Sequence, residues 1–159
     1  MNKIFLDMDG TIAKFNVRNA LERFAVEKGF FANLGAYKGI ETINEMVKNG
    51  NVYIISASPN MYADLDKMTW LKKYLPNLKR ENIVFCRIGD NKAITIRDQL
   101  GIQIDKTCFL LDDYTKNLTE WESIGGVGIK RLTKVADNST KKWKGLELKE
   151  LGELSKLVA

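Results

Sequence analysis

The chain of 159 residues contains no histidine. That removes imidazole bases, histidine nucleophiles and nearly all ordinary zinc enzyme sites, leaving carboxylates, lysines and hydroxyls to carry any chemistry. Cysteine is scarce: Cys86 and Cys108 each sit inside an apolar strand-like segment and read as buried free thiols rather than a disulfide or a metal site. No apolar run approaches the ~18 residues that a membrane helix needs. The opening MNKIFLDMDG lacks the basic, apolar, small-residue order of a secretory signal, so a cytoplasmic protein with no membrane partner is expected. Internal repeats, low-complexity runs and flexible linkers are missing as well, and nothing in the chain speaks to oligomeric state.

What is present fits one globular domain spanning residues 1–159, with 45% hydrophobic and 28% charged residues and enough length to bury a core. The net charge of +5 favours anionic ligands without choosing between a metabolite and a nucleic acid. Four short apolar runs read as buried strands: Lys3 to Leu6, Asn51 to Ile55, Asn82 to Cys86 and Thr107 to Leu111, with a fifth at Gly128 to Leu132. Between them, Gly39 to Asn49 sets Ile40, Ile43, Met46 and Val47 on one helical face and stops at Gly50. Met61 to Tyr74 does the same with Leu65, Met68, Leu71 and Leu75, and Pro76 follows as a stop. Apolar spacing over Leu146 to Val158 predicts a final helix. Alternating strands and helices predict an α/β fold: a Rossmann-like parallel sheet with helices on both faces, where ligands gather at the carboxyl ends of the strands.

Polar residues follow one strand after another. The first strand ends in Asp7 and Asp9, the second in Ser56, Ala57 and Ser58, the third is followed by Lys92, and the fourth ends in Asp112 and Asp113. Two aspartates after a strand are most often turn or cap residues. Here the groups would meet at one sheet edge, and hard oxygen donors, hydroxyls and an ammonium together outline a magnesium and phosphate site.

The pattern DMDGT at 7–11, a hydroxyl after the second strand, a later lysine and a late DD pair resembles the haloacid dehalogenase superfamily of aspartate-nucleophile phosphatases. The stretches IISASPN, DKMTWLKKYLP, GDNKA and LLDDYTKNLTEWE resemble the cytosolic-type 5′(3′)-deoxyribonucleotidases. Chain order argues against response-regulator receivers, whose lysine comes near the end of the chain. The resemblance implies that Asp7 is the nucleophile and forms an aspartyl phosphate. Asp9 would protonate the leaving oxygen and then deprotonate water, a task helped if like charges and the apolar Ile12 and Phe15 raise its pKa. Mg2+ would sit between Asp7, the backbone carbonyl of Asp9, and Asp112 or Asp113, with the direct ligand of the last two left open. Ser56 and Ala57 are the first choice for the phosphate clamp, with Ser58 as a second hydroxyl, Lys92 balancing charge, and Thr11 either fixing the loop or touching phosphate.

The resemblance also implies a small helical cap inserted after the first strand, at about residues 13–38. Val17 to Lys28 reads as its helix, and Phe15, Phe30 and Phe31 are candidates for contact with a base, against core packing. Trp70, Tyr74, Trp121 and Trp143 read as packing residues. A small phosphomonoester, best a deoxyribonucleotide, is the expected substrate. A polynucleotide end is the alternative, suggested by the charge and by KKWKG at 141–145, and a non-catalytic scaffold is a third reading.

Overall fold

The protein is described from a computed structural model that covers residues 1–15, 27–134 and 143–159. Strands β1 (Lys3–Leu6), β2 (Val52–Ser58), β3 (Ile83–Arg87), β4 (Cys108–Asp112), β5 (Val127–Arg131) and β6 (Leu146–Leu148) form one sheet in the order β3-β2-β1-β4-β5-β6. Every pairing is parallel. The helices are α1 (Ile40–Met46, continued as a 3-10 turn over Val47–Asn49), α2 (Met61–Tyr74), α3 (Lys92–Leu100), α4 (Thr115–Ser123) and α5 (Leu154–Leu157). None of the described helices is long and apolar enough to cross a membrane.

Strand periodicity divides the core in two. Leu6 and Ile54 face one side, packing with Ile43, Trp70 and Leu151. Phe5 and Ile55 face the other, packing with Ile96, Leu118 and Trp121. A parallel sheet buried on both faces needs this near-continuous apolar composition, which is why the strands stand out in the sequence. Asn60 and Asn91 cap α2 and α3 by accepting amide hydrogen bonds, from Ala63 and from Ala93 and Ile94.

Three expectations change. First, β2 runs on to Ser58, so the second set of polar residues belongs to the strand itself. Second, α2 buries Ala63, Lys67, Trp70 and Leu71, whereas Leu65 is 61% exposed. The rotation follows from Trp70, whose indole donates to the Leu34 carbonyl at 2.8 Å and fixes which side faces inward. Third, the stretch from Leu146 is not one helix. It opens as β6, pairing with β5 from Ile129↔Leu146 to Arg131↔Leu148, and turns helical only at Leu151. The open hydrogen-bonding edge of β5 outweighs the helical spacing there. The helix expected over Val17 to Lys28 falls mostly on residues 16–26, outside the described residues.

The segment after β1 leaves and returns side by side. Lys14 donates its amide to Gly35, Tyr37 donates to Ile12, and Ala13 bridges Ala36.

Candidate active site

Asp7 directly follows β1 and is locked to the sheet by its amide, which donates to Leu111 at 2.9 Å. One carboxylate oxygen accepts from Lys92 Nζ at 2.6 Å and the other from the Thr11 hydroxyl at 3.1 Å. Thr11 is fully buried, and its hydroxyl is engaged with Asp7. Lys92 stands at the first turn of α3, positioned by the Asn91 cap, and reaches Asp112 Oδ2 at 2.7 Å as well. Asp112 is otherwise committed: Tyr114 N–H donates to Oδ1 at 2.8 Å, and Asn117 Nδ2 donates to Oδ2 at 2.9 Å.

Asp113 packs against the loop after β1. Gly10 has φ 78°, and a Cβ there would overlap the Asp113 carboxylate, so glycine is required both for the turn and for this approach. Oxygens from Asp7, Asp112 and Asp113 lie within 4.8 Å of one another. Lys92 pairs with two of the three carboxylates, and the buried Lys130, which donates to the Asp113 carbonyl at 2.6 Å, eases the third without pairing with it, so burial and mutual repulsion dominate. Burial pushes Asp7 up to about 7, with Lys92 opposing and Asp112 and Asp9 adding to the rise. Burial, Asp7 and Asp112 push Asp113 up to about 8. Burial works against the charge of Lys92, but Asp112 and Asp7 outweigh it and raise its pKa. Such a set of hard oxygen donors, short of positive charge, fits a divalent cation of the magnesium type.

Asp9 is placed differently. Instead of only like charges and apolar neighbours, its carboxylate meets the ammonium of Lys67 at 2.5 Å. Lys67 is fully buried, donates also to Ser56 Oγ at 2.9 Å and to the Ala57 carbonyl at 2.6 Å, and lies 4.5 Å from the centre of the Phe31 ring. The other oxygen, Asp9 Oδ1, is buried with no hydrogen-bond partner among the described residues. Sequence reasoning missed Lys67 because DKMTWLKKY carries three lysines and an apolar stripe drawn through Leu65 turns Lys67 outward. A stripe through Trp70 and Leu71 puts Lys67 on the inner face.

Ser56 thus stands beside Lys67 and Asp9. Ser58 is equally buried, but its hydroxyl donates to the Asn60 carbonyl at 3.2 Å, at the head of α2. Phe15, Phe30 and Phe31 form one aromatic group with ring centroids 5.1–6.1 Å apart, Phe31 buried and the other two partly exposed. Trp70 and Trp121 are fully buried, and Trp143 packs beside Gly128 with its indole donating to Leu146. Of KKWKG, Lys141 and Lys142 lie outside the described residues.

A family model described as 5′ nucleotidase, deoxy (Pyrimidine), cytosolic type C protein matches residues 7–136. The 5′(3′)-deoxyribonucleotidase of Clostridium acetobutylicum is 34% identical over 92 residues, 57% of this chain and 47% of that protein, so the match spans about half the length of that relative. Among solved structures, the D,D-heptose 1.7-bisphosphate phosphatase of B. bronchiseptica, complexed with magnesium and phosphate, has a TM-score of 0.72 at 12% identity, covering 99% of this chain and 98% of its own. A haloacid dehalogenase-like hydrolase from Streptococcus pneumoniae has a TM-score of 0.71 at 12% identity, with the same coverage. At such identities these two structures establish the fold, a haloacid dehalogenase-type α/β core.

Proposed function

The chain belongs to the family described as 5′ nucleotidase, deoxy (pyrimidine), cytosolic type C, and from that membership we propose that it is a magnesium-dependent phosphomonoester hydrolase of the cytoplasm, a 5′(3′)-deoxyribonucleotidase that releases nucleoside and phosphate. The observation that carries this reading is the meeting of Asp7, Asp112 and Asp113 around Lys92 at the carboxyl edge of the sheet, with Asp9 and Lys67 beside them.

Asp7 and Asp113, with the Asp9 carbonyl, would hold the metal, and Asp112 would stand behind them as the anchor of Lys92. A divalent cation there supplies the positive charge that lets a carboxylate approach a phosphate dianion. Asp7, held in line by Lys92 and Thr11, attacks phosphorus. An O–P bond forms as the ester P–O bond breaks, and Asp9 gives a proton to the departing oxygen. Water then attacks the same phosphorus, Asp9 takes its proton, and the bond to Asp7 breaks to free phosphate. Lys67 fixes one oxygen of Asp9, and the unpartnered Oδ1 is the one left to exchange the proton. Ser56 and the Ala57 amide hold phosphoryl oxygens together with Lys92. Ser58, turned toward α2, supports that turn. The insert at 13–38 serves as the cap, with Phe15 and Phe30 presented to a base and Phe31 packed under Lys67.

A screen of nucleoside monophosphates, sugar phosphates and p-nitrophenyl phosphate with magnesium tests the reading. Turnover of deoxyribonucleotides above the other esters, stopped by EDTA and restored by magnesium, is the expected result. No hydrolysis of any ester by the pure, folded protein would refute it and favour the scaffold alternative.

A further inference from the structure

Beside the acidic site lies a second cavity, of about 710 Å3, lined by Lys14, Tyr37, Lys38, Arg131, Lys134 and Lys149 together with Leu132, Thr133 and Glu150. Five cations and one carboxylate face it, whereas the whole chain is only +5, so most of the net charge is gathered at this one place. No ion pair joins Lys14, Lys38, Lys134 or Lys149 to a carboxylate among the described residues.

Arg131 makes this more than a patch of surface lysines. It is 3% exposed, yet it has no carboxylate partner among the described residues. Its Nε donates to the Thr11 carbonyl at 3.0 Å, and Nη1 donates to Leu132, Leu148 and Lys149 carbonyls. The residue also lines the cavity. The guanidinium lies 5.0 Å from the centre of the Tyr37 ring, and Glu150 and Asp113 act on it without an ion pair; burial still disfavours its charge, so an anion supplied from outside would stabilise it.

The cavity also adjoins the nucleophile. Thr11 joins the two sites: its hydroxyl is on Asp7 and its carbonyl is on Arg131. In the sheet order, β5 stands two places from β1, a separation of ~10 Å at the usual strand spacing. That is the reach of a nucleotide or two of extended strand. One further phosphate would need fewer than five cations, whereas a strand brings a negative charge with every nucleotide.

We infer that this cavity binds the phosphodiester backbone of single-stranded nucleic acid whose terminal phosphate lies at Asp7, so that the substrates include phosphorylated strand ends. The inference rests on the hydrolase reading for its catalytic half only; the binding half stands on the cavity. Initial rates with magnesium are compared for thymidine 5′-monophosphate, thymidine 3′,5′-bisphosphate and 5′-phosphorylated hexathymidylate over a range of salt. Fluorescence anisotropy of the same hexamer, labelled at its 3′ end, is followed in EDTA. The expected kcat/KM is at least about tenfold higher for the hexamer than for the monophosphate at low salt, and binding weakens with a log–log salt slope of ~2 if three phosphates are neutralised. Lys134→Gln/Lys149→Gln should cut the hexamer-to-monophosphate ratio at least about fivefold and weaken hexamer binding, whereas Lys72→Gln/Lys73→Gln, equal charges removed from exposed α2 positions, should not.

Hexamer binding without turnover of any substrate would sink the hydrolase reading and leave the subsite standing. Turnover of the monophosphate without salt-sensitive hexamer binding would overturn the subsite. A bisphosphate favoured as strongly as the hexamer would overturn the strand assignment, and so would equal losses in the two double variants.

Discussion

Asp7 and Asp9 are two positions apart in the chain and in different company. Asp7 shares Lys92 with Asp112 and accepts from Thr11, while Asp9 is held by Lys67. Asp7→Asn should abolish turnover and keep part of the magnesium-dependent phosphate binding, measured by kinetics alongside calorimetry with inorganic phosphate. Wild-type turnover would rule out the nucleophile assignment. Asp9→Asn should lower kcat by a factor of roughly 100 to 10,000. Lys67→Gln should lower it by less, and because the two residues act as a unit, the double variant should be no slower than Asp9→Asn alone. A double variant whose losses multiply would separate them. The acidic residues were legible because each follows an apolar strand directly, where little else explains them. Lys67 was not, because a lysine on a helix is ordinarily solvated, and only tertiary packing through Trp70 and Leu34 turns this one inward.

At the scale of elements, β1, β3, β4 and β5 were legible to within a residue, since burial on both faces demands unbroken apolar runs, whereas β2 runs three residues past its apolar stretch into Ser56, Ala57 and Ser58. Helix orientation and β6 were not: the first depends on which stripe wins against the sheet, and a three-residue strand takes its identity from its neighbour's open edge. The loop after β1 is the element on which the site depends most. Gly10→Ala would add the left-handed backbone cost of roughly 1–2 kcal/mol and drive a methyl into Asp113. The expected outcome is a lower Tm and a raised magnesium requirement, read from denaturation and from metal titration of the rate. An unchanged magnesium requirement would mean that Asp113 does not depend on this approach.

Over the whole molecule, the carboxylate cluster links folding to pH and metal. Asp7 and Asp113 ionise near the ordinary value of 3.8 when unfolded, but at about 7 and about 8 when folded. Between those values the native state binds more protons, so the metal-free protein loses stability as pH rises from about 4 to about 8. Metal competes with the same protons. The rise in Tm on adding magnesium should therefore be larger at pH 8 than at pH 5, and an equal rise at both would contradict the pairing of cluster and cation.

The position of β1 has one more consequence. It lies at the centre of the sheet, paired with β2 on one side and with β4 on the other, where Lys3 aligns with Cys108. Contacts so distant in sequence form slowly, because a long loop must close before they repay its entropy. During synthesis, the strand that carries Asp7 waits unpaired on one side until β4 has left the ribosome. Asp112 and Asp113 arrive with that same strand, so the surroundings of Asp7 and the cluster of three carboxylates are completed in a single late event.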